Sequence, residues 1–145
     1  MKEEFKKTVQ IKTTPEKVWD ALINPVKVEK YMFGSKVQSK WRPGYPVEFY
    51  MIKEGKEILV VKGDVVKINP PYYLEHTLFP VGGEIEDIRE NYLTVIYHIE
   101  ASGDKSTITI TQRDFSKVAQ GEQRYQDTIK GWEVVLPKLI EVAEE

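Results

Sequence analysis

The sequence predicts an α+β domain in which one long amphipathic helix lies in the grip of a curved antiparallel sheet. Three observations lead there. From the end of a second short helix to about residue 113, apolar alternation with period two recurs in segments separated by short turn-forming stretches. Such brief separators favour an antiparallel meander over crossover units. From about residue 120 onward, Tyr125, Ile129, Trp132, Val135, Leu136, Leu139 and Ala143 fall on one continuous helical stripe. A stripe that wide needs a concave partner, and the curled sheet is the only large one available.

The elements follow in order. FKKTVQIK sets Phe5, Lys7, Val9 and Ile11 against polar neighbours and reads as a first strand. Two short helices come next. In TTPEKVWDALI, Thr14 is an N-cap, Pro15 takes the first helical position, and Val18, Leu22 and Trp19 make the buried face. Asn24–Pro25 repeats that start signal, ending the first helix and opening a second over VKVEKYM. The strand candidates are then PVEFYMI, KEILVVKGDVVKI, YYLEHTLF, NYLTVIYHIE and STITITQR. RPGYP, KEGK, NPP, VGGEIEDIREN and SGDK separate them as turns and loops. Gly63, inside the longest strand, predicts a bulge or a sharp bend that helps the sheet curl. The last helix is expected to begin near residues 120–122 and to run to the end.

At 145 residues the chain is expected to form a single domain over 1–145, large enough for a real core. There are no cysteines, which excludes disulfides, thiolate zinc sites and cysteine nucleophiles. The 21 basic and 23 acidic residues are scattered, with no stripe suited to a phosphate backbone, so no nucleic-acid partner is expected. MKEEFKKTVQIK lacks the apolar core of a signal peptide. No apolar run approaches the ~18 residues of a membrane span. A cytoplasmic protein without a membrane partner is the expectation.

The inventory for chemistry is thin. His98 falls opposite Tyr97 and is expected to point outward, whereas His76 alternates with Leu74 and Leu78 and is expected to face inward. No His/Asp/Glu cluster has ligand spacing, so neither a metal nor a cofactor is expected. Glu84, Glu86, Asp87 and Glu90 suit acid–base work only if one is buried, and their glycine-initiated loop reads as a solvated acidic edge. No nucleophile elbow, P-loop or dinucleotide fingerprint occurs.

TTPEKVWDALINPVKVEKY, KWRPGYPVEF, KGDVVKINPPYYLEHT and KGWEVVLPKL resemble, in that order, the activator-of-Hsp90-ATPase homologue 1-like family of the START/Bet v 1-like superfamily. The resemblance runs from about Val9 to Leu139. It implies a helix-grip fold, with a bent antiparallel sheet of about six or seven strands wrapped round a C-terminal helix. It also implies a cavity between sheet and helix, a place in the stress response, and ligands such as lipids, hormones or polyketides. Two departures stand out. The strand after SGDK often ends in histidine in the family and ends here in Gln112. The eukaryotic co-chaperones carry an additional N-terminal domain for which 145 residues leave no room, so Hsp90 activation is not expected.

Alternation picks out the cavity lining. Phe49 and Met51 share a face with Val47, Tyr97 with Val95 and Ile99, and Ile108 with Ile110. These faces are expected to meet Tyr125, Ile129, Trp132 and Leu136 on the helix, with His76 facing in and Trp41 closing one mouth. Tyr97 and Tyr125 are the expected polar contributors. Gly131 and Pro137 sit within the helix although these two residue types cost it about 1 and about 3 kcal/mol relative to alanine. Either Gly131 leaves space for a ligand and Pro137 bends the helix, or the glycine allows close packing and tertiary contacts absorb the proline. The leading functional expectation is non-catalytic binding of a small, mainly apolar ligand. A protein-interaction module is the second, with Tyr31, Met32 and Phe33 as its exposed apolar patch. A cyclase- or hydrolase-type enzyme is the third, requiring His76 in the pocket beside Tyr97, Tyr125 or a carboxylate.

Overall fold

The computed structural model describes residues 3–145. β1 (Glu4–Ile11) leads into α1 (Pro15–Ile23) and α2 (Pro25–Tyr31). The Thr14 hydroxyl accepts from the Lys17 amide at 3.3 Å, as its N-cap position demands. Asn24 serves both helices: its backbone amide donates to Asp20 at the end of α1, and its side chain accepts from the Val26 amide at 3.1 Å to start α2. Val18, Trp19 and Leu22 are buried on the inner face of α1.

The meander then runs β2 (Lys36–Ser39), β3 (Pro46–Lys53), β4 (Lys56–Asn69), β5 (Tyr73–Pro80), β6 (Leu93–Ser102) and β7 (Lys105–Arg113). Every pairing is antiparallel, in the order β1-β7-β6-β5-β4-β3-β2. The seventh strand, β2, is a four-residue edge whose KVQS carries one apolar residue, too little for alternation to reveal. The curl of the sheet has three local causes. β4 carries an extra residue at Val60 against β3 and another at Val66 against β5. Gly63 lies between these bulges rather than in one, at a close backbone approach: a Cβ there would overlap the Thr77 carbonyl.

α3 (Gly121–Glu144) crosses the concave face and continues through the exposed Pro137. Its two halves differ. Val135, Leu136, Leu139, Val142 and Ala143 are buried in the main core, where the helix packs on α1 and α2. In the first three turns Arg124 alone is buried, while Tyr125, Thr128 and Ile129 are half-covered. The far end is held to the N-terminal segments by Lys12 N–Glu144 Oε2 at 2.9 Å and Lys30 Nζ–Glu145 Oε1 at 3.0 Å. A helix seated at one end and standing off at the other leaves a gap under its first half.

Tyr31 corrects one expectation. It is not part of an exposed patch but buried, because its hydroxyl donates to the Ala21 carbonyl at 2.6 Å. That bond satisfies one of the carbonyls left without a partner at the end of α1. Among the described residues, no helix is long and apolar enough to cross a membrane.

Candidate functional site

The gap is a cavity of about 400 Å³ between the concave face of β3–β7 and the first half of α3. Small-molecule sites span about 300–1,000 Å³, so it lies at the lower end of that range. Phe49 and Met51 line it from β3, Leu93 and Val95 from β6, and Leu78 from β5. The bulge in β4 brings Val60 and Val61 to the same wall, which strict alternation forbids. Met32 and Phe33, between α2 and β2, complete the rim, and Phe33 is 59% exposed where the cavity meets solvent.

The helix contributes a face that the apolar stripe marks only in part. Arg124, Thr128, Gly131, Trp132 and Val135 look into the cavity, at helical spacings of three and four. A Cβ built on Gly131 meets nothing within 4 Å, so the glycine borders open space rather than close packing. Beside it the helix is pinned to the sheet by a polar chain. The Trp132 indole Nε1 donates to Gln112 Oε1 at 3.2 Å, Gln112 Nε2 donates to Thr128 Oγ1 at 3.3 Å, and that hydroxyl donates to the Arg124 carbonyl at 2.8 Å. Gln112 thus holds the tryptophan against the cavity wall from β7.

Arg124 is 8% exposed. Its Nη1 donates to the Asn91 carbonyl at 2.7 Å, while its Nη2 is buried and without a partner. Asn91 is itself fixed, accepting from the Ala119 amide at 2.9 Å and donating to the Glu86 carbonyl at 2.9 Å. Burial lowers the guanidinium's pKa. Arginine nevertheless keeps its charge in proteins. None of the ion pairs among the described residues includes it.

His76 and Tyr97 are neighbours on the opposite wall, their ring centroids 6.2 Å apart. His76 Nδ1 lies 2.8 Å from the Thr77 carbonyl, so it carries the proton and leaves Nε2 as the acceptor. Burial holds the imidazole below its ordinary pKa, against the opposing effect of that hydrogen bond. Burial likewise pushes the Tyr97 phenol up. Both rings are neutral at physiological pH.

Of the predicted lining, Phe49, Met51, His76, Tyr97 and Trp132 come together on the cavity wall. Ile108 and Ile110 are wholly buried in the packed core and do not reach the cavity, and Leu136 is buried in that core too. Tyr125 and Ile129 turn toward Glu4, Phe5 and Lys6 at the β1 edge, where the Tyr125 ring meets Phe115 edge-on at 5.2 Å. Trp41 packs against the main core outside the cavity. Tyr97 is thus joined on the cavity wall by His76, Gln112, Arg124 and Thr128, whereas Tyr125 lies outside it. Apolarity alone sets Tyr125, Ile129 and Leu136 beside Trp132, whereas the cavity takes Arg124, Thr128 and Gly131 with Trp132 and Val135. Stepping back from Trp132 by four and eight residues to Thr128 and Arg124 is the signal that locates the true face. His98 and the loop carboxylates Glu84, Glu86, Asp87 and Glu90 are exposed.

A family model described as "Activator of Hsp90 ATPase homolog 1-like protein" matches residues 12–144. Among solved structures, the chain is similar to ChR145 from Cytophaga hutchinsonii at 27% identity, covering 99% of this chain and 94% of that one, with a TM-score of 0.76. It shares its fold with CalU16 from Micromonospora echinospora, at 16% identity, 97% and 75% coverage and a TM-score of 0.71. It shares it also with PFC0360w, an HSP90 activator from Plasmodium falciparum, at 14% identity, 95% and 94% coverage and a TM-score of 0.70. No curated protein matches the chain in sequence.

Proposed function

The chain belongs to the activator of Hsp90 ATPase homologue 1-like family, and from that premise we propose that it is a non-catalytic domain binding a small, mainly apolar ligand between sheet and C-terminal helix. The observation that carries this reading is the cavity of about 400 Å³ whose helix wall opens at Gly131, where a side chain would meet nothing. A protein that needed only a core would gain stability by filling that space. The patch a protein partner would use is diminished by the burial of Tyr31, which leaves Phe33 and Met32 at the cavity rim. The cysteine-free sequence suits action in a reducing cytoplasm.

The test is fluorescence titration with the neutral probe N-phenyl-1-naphthylamine. The wild-type protein is expected to bind it, and Gly131→Leu, which projects into the cavity, to weaken binding at least tenfold while remaining folded. Equal binding by both proteins would place the probe elsewhere and remove the support for this reading.

A second reading has one specific observation behind it: His76 and Tyr97 are adjacent in the cavity, as acid–base chemistry on a bound substrate requires. It predicts that a bound ligand is recovered chemically changed by the wild-type protein and unchanged by His76→Gln.

A further inference from the structure

We propose that the ligand is an amphipathic carboxylate, its apolar chain lying against Trp132, Phe49 and Val95 and its carboxylate pairing with the Arg124 guanidinium. This rests on the cavity being a binding site and adds the charge of what it holds.

Arg124 stands on the cavity wall, 8% exposed, with Nη2 buried and unpartnered and no carboxylate of the described residues paired with it. An isolated buried charge is among the most unfavourable things a folded protein can carry, and natural structures compensate it with an anion and hydrogen bonds. The neutral groups around Arg124 do not do so. Thr128 and Gln112 spend their hydrogen bonds on the helix backbone, on each other and on Trp132. Asp127, one turn along α3 at the cavity edge, accepts from Gln123 at 2.9 Å instead. His76 across the cavity is neutral. The guanidinium Nη2 therefore stands without an anionic partner in a cavity lined mainly by apolar side chains.

The group is also held in place. Nη1 is fixed by the Asn91 carbonyl, whose residue is fixed in turn by Ala119 and Glu86. A guanidinium immobilised beforehand loses little further freedom when an anion arrives, which favours charge-assisted binding. One free nitrogen and one positive charge match a monoanion. A phosphate monoester pairs with guanidinium through the same kind of hydrogen bond but brings close to two negative charges, of which only one is met.

The probes are decanoate, 1-decanol and decyl phosphate, titrated calorimetrically at pH 7.5 into the wild-type protein and Arg124→Met. Decanoate is expected to bind the wild type at least tenfold more tightly than 1-decanol and more tightly than decyl phosphate. Arg124→Met is expected to lower decanoate to the level of decanol. A second measurement needs no variant: the carboxyl resonance of [1-13C]decanoate bound to the wild type should titrate at lower pH than that of the free acid. Equal affinity for decanoate and decanol, or a bound resonance titrating at or above the free value, overturns the assignment of charge while leaving an apolar binding site intact. Tighter binding of decyl phosphate overturns the carboxylate in favour of a phosphate. If none of the three binds, the reading of the cavity as a ligand site falls as well.

Discussion

Replacing Gly131 by alanine asks directly whether the helix wall borders empty space. A Cβ at this position has no heavy atom within 4 Å to strike and none to pack against. Its effect therefore reduces to the backbone, where alanine is favoured over glycine inside a helix by about 1 kcal/mol because the unfolded glycine has more freedom to lose. For a domain of this size, about 1 kcal/mol corresponds to roughly 3 °C in Tm. Scanning calorimetry of the two ligand-free proteins measures it, and urea unfolding should show a higher midpoint with an unchanged slope. A variant less stable than wild type would mean that the methyl meets packed atoms, and the open wall, with everything argued from it, would be refuted.

Three further outcomes follow from the same geometry. His76 is held below its ordinary pKa by burial, so the folded state binds fewer protons than the unfolded one. Its stabilising contribution is complete above about pH 6.5 and is lost as pH falls from there through the lower folded value. The wild-type Tm should decline between pH 7 and 5, and His76→Gln should flatten that decline; the depressed carboxylates Glu3 and Asp87 act in a separate window below about pH 4.5. Gln112→Leu removes the acceptor of the Trp132 indole and the donor to Thr128, and should cost about 1–3 kcal/mol in urea unfolding, with a changed Trp132 indole proton resonance. Gly63→Ala sets a methyl into the Thr77 carbonyl and should cost about 3 kcal/mol, read as a lowered midpoint in urea unfolding followed by circular dichroism.

Gly131 and Arg124 share a physical logic. Each breaks a local rule that favours stability: a glycine in a helix interior, and a buried charge without a counterion. Both breaches fall on the same wall of the same cavity. A core built only for stability would contain an alanine or larger residue at one position and an apolar residue at the other.

The sequence by itself determined the architecture of this protein. Alternation in β3 to β7, the paired Thr14–Pro15 and Asn24–Pro25 starts, and the apolar stripe of α3 are local signals, and local signals survive being read one residue at a time. It also determined that Phe49, Met51 and Tyr97 share the inner face of the sheet, because a strand has only two faces and period two assigns them without ambiguity. The rotation of α3 was decided by tertiary structure alone. A helix presents residues every 100°, so a stripe of seven residues spread over positions 125–143 leaves its contact line free by about one position, and the choice depends on which neighbours compete for each side. The β1 edge and Phe115 take Tyr125, the packed core takes Leu136, and the remaining line of Arg124, Thr128 and Gly131 is left facing the cavity. The extra residue at Val60 and the close approach at Gly63 likewise depend on partners distant in sequence. An arginine on a predicted helix reads as a solvated side chain until the loop carrying Asn91 folds over it, which is why the one buried charge in the cavity wall could be seen only in three dimensions.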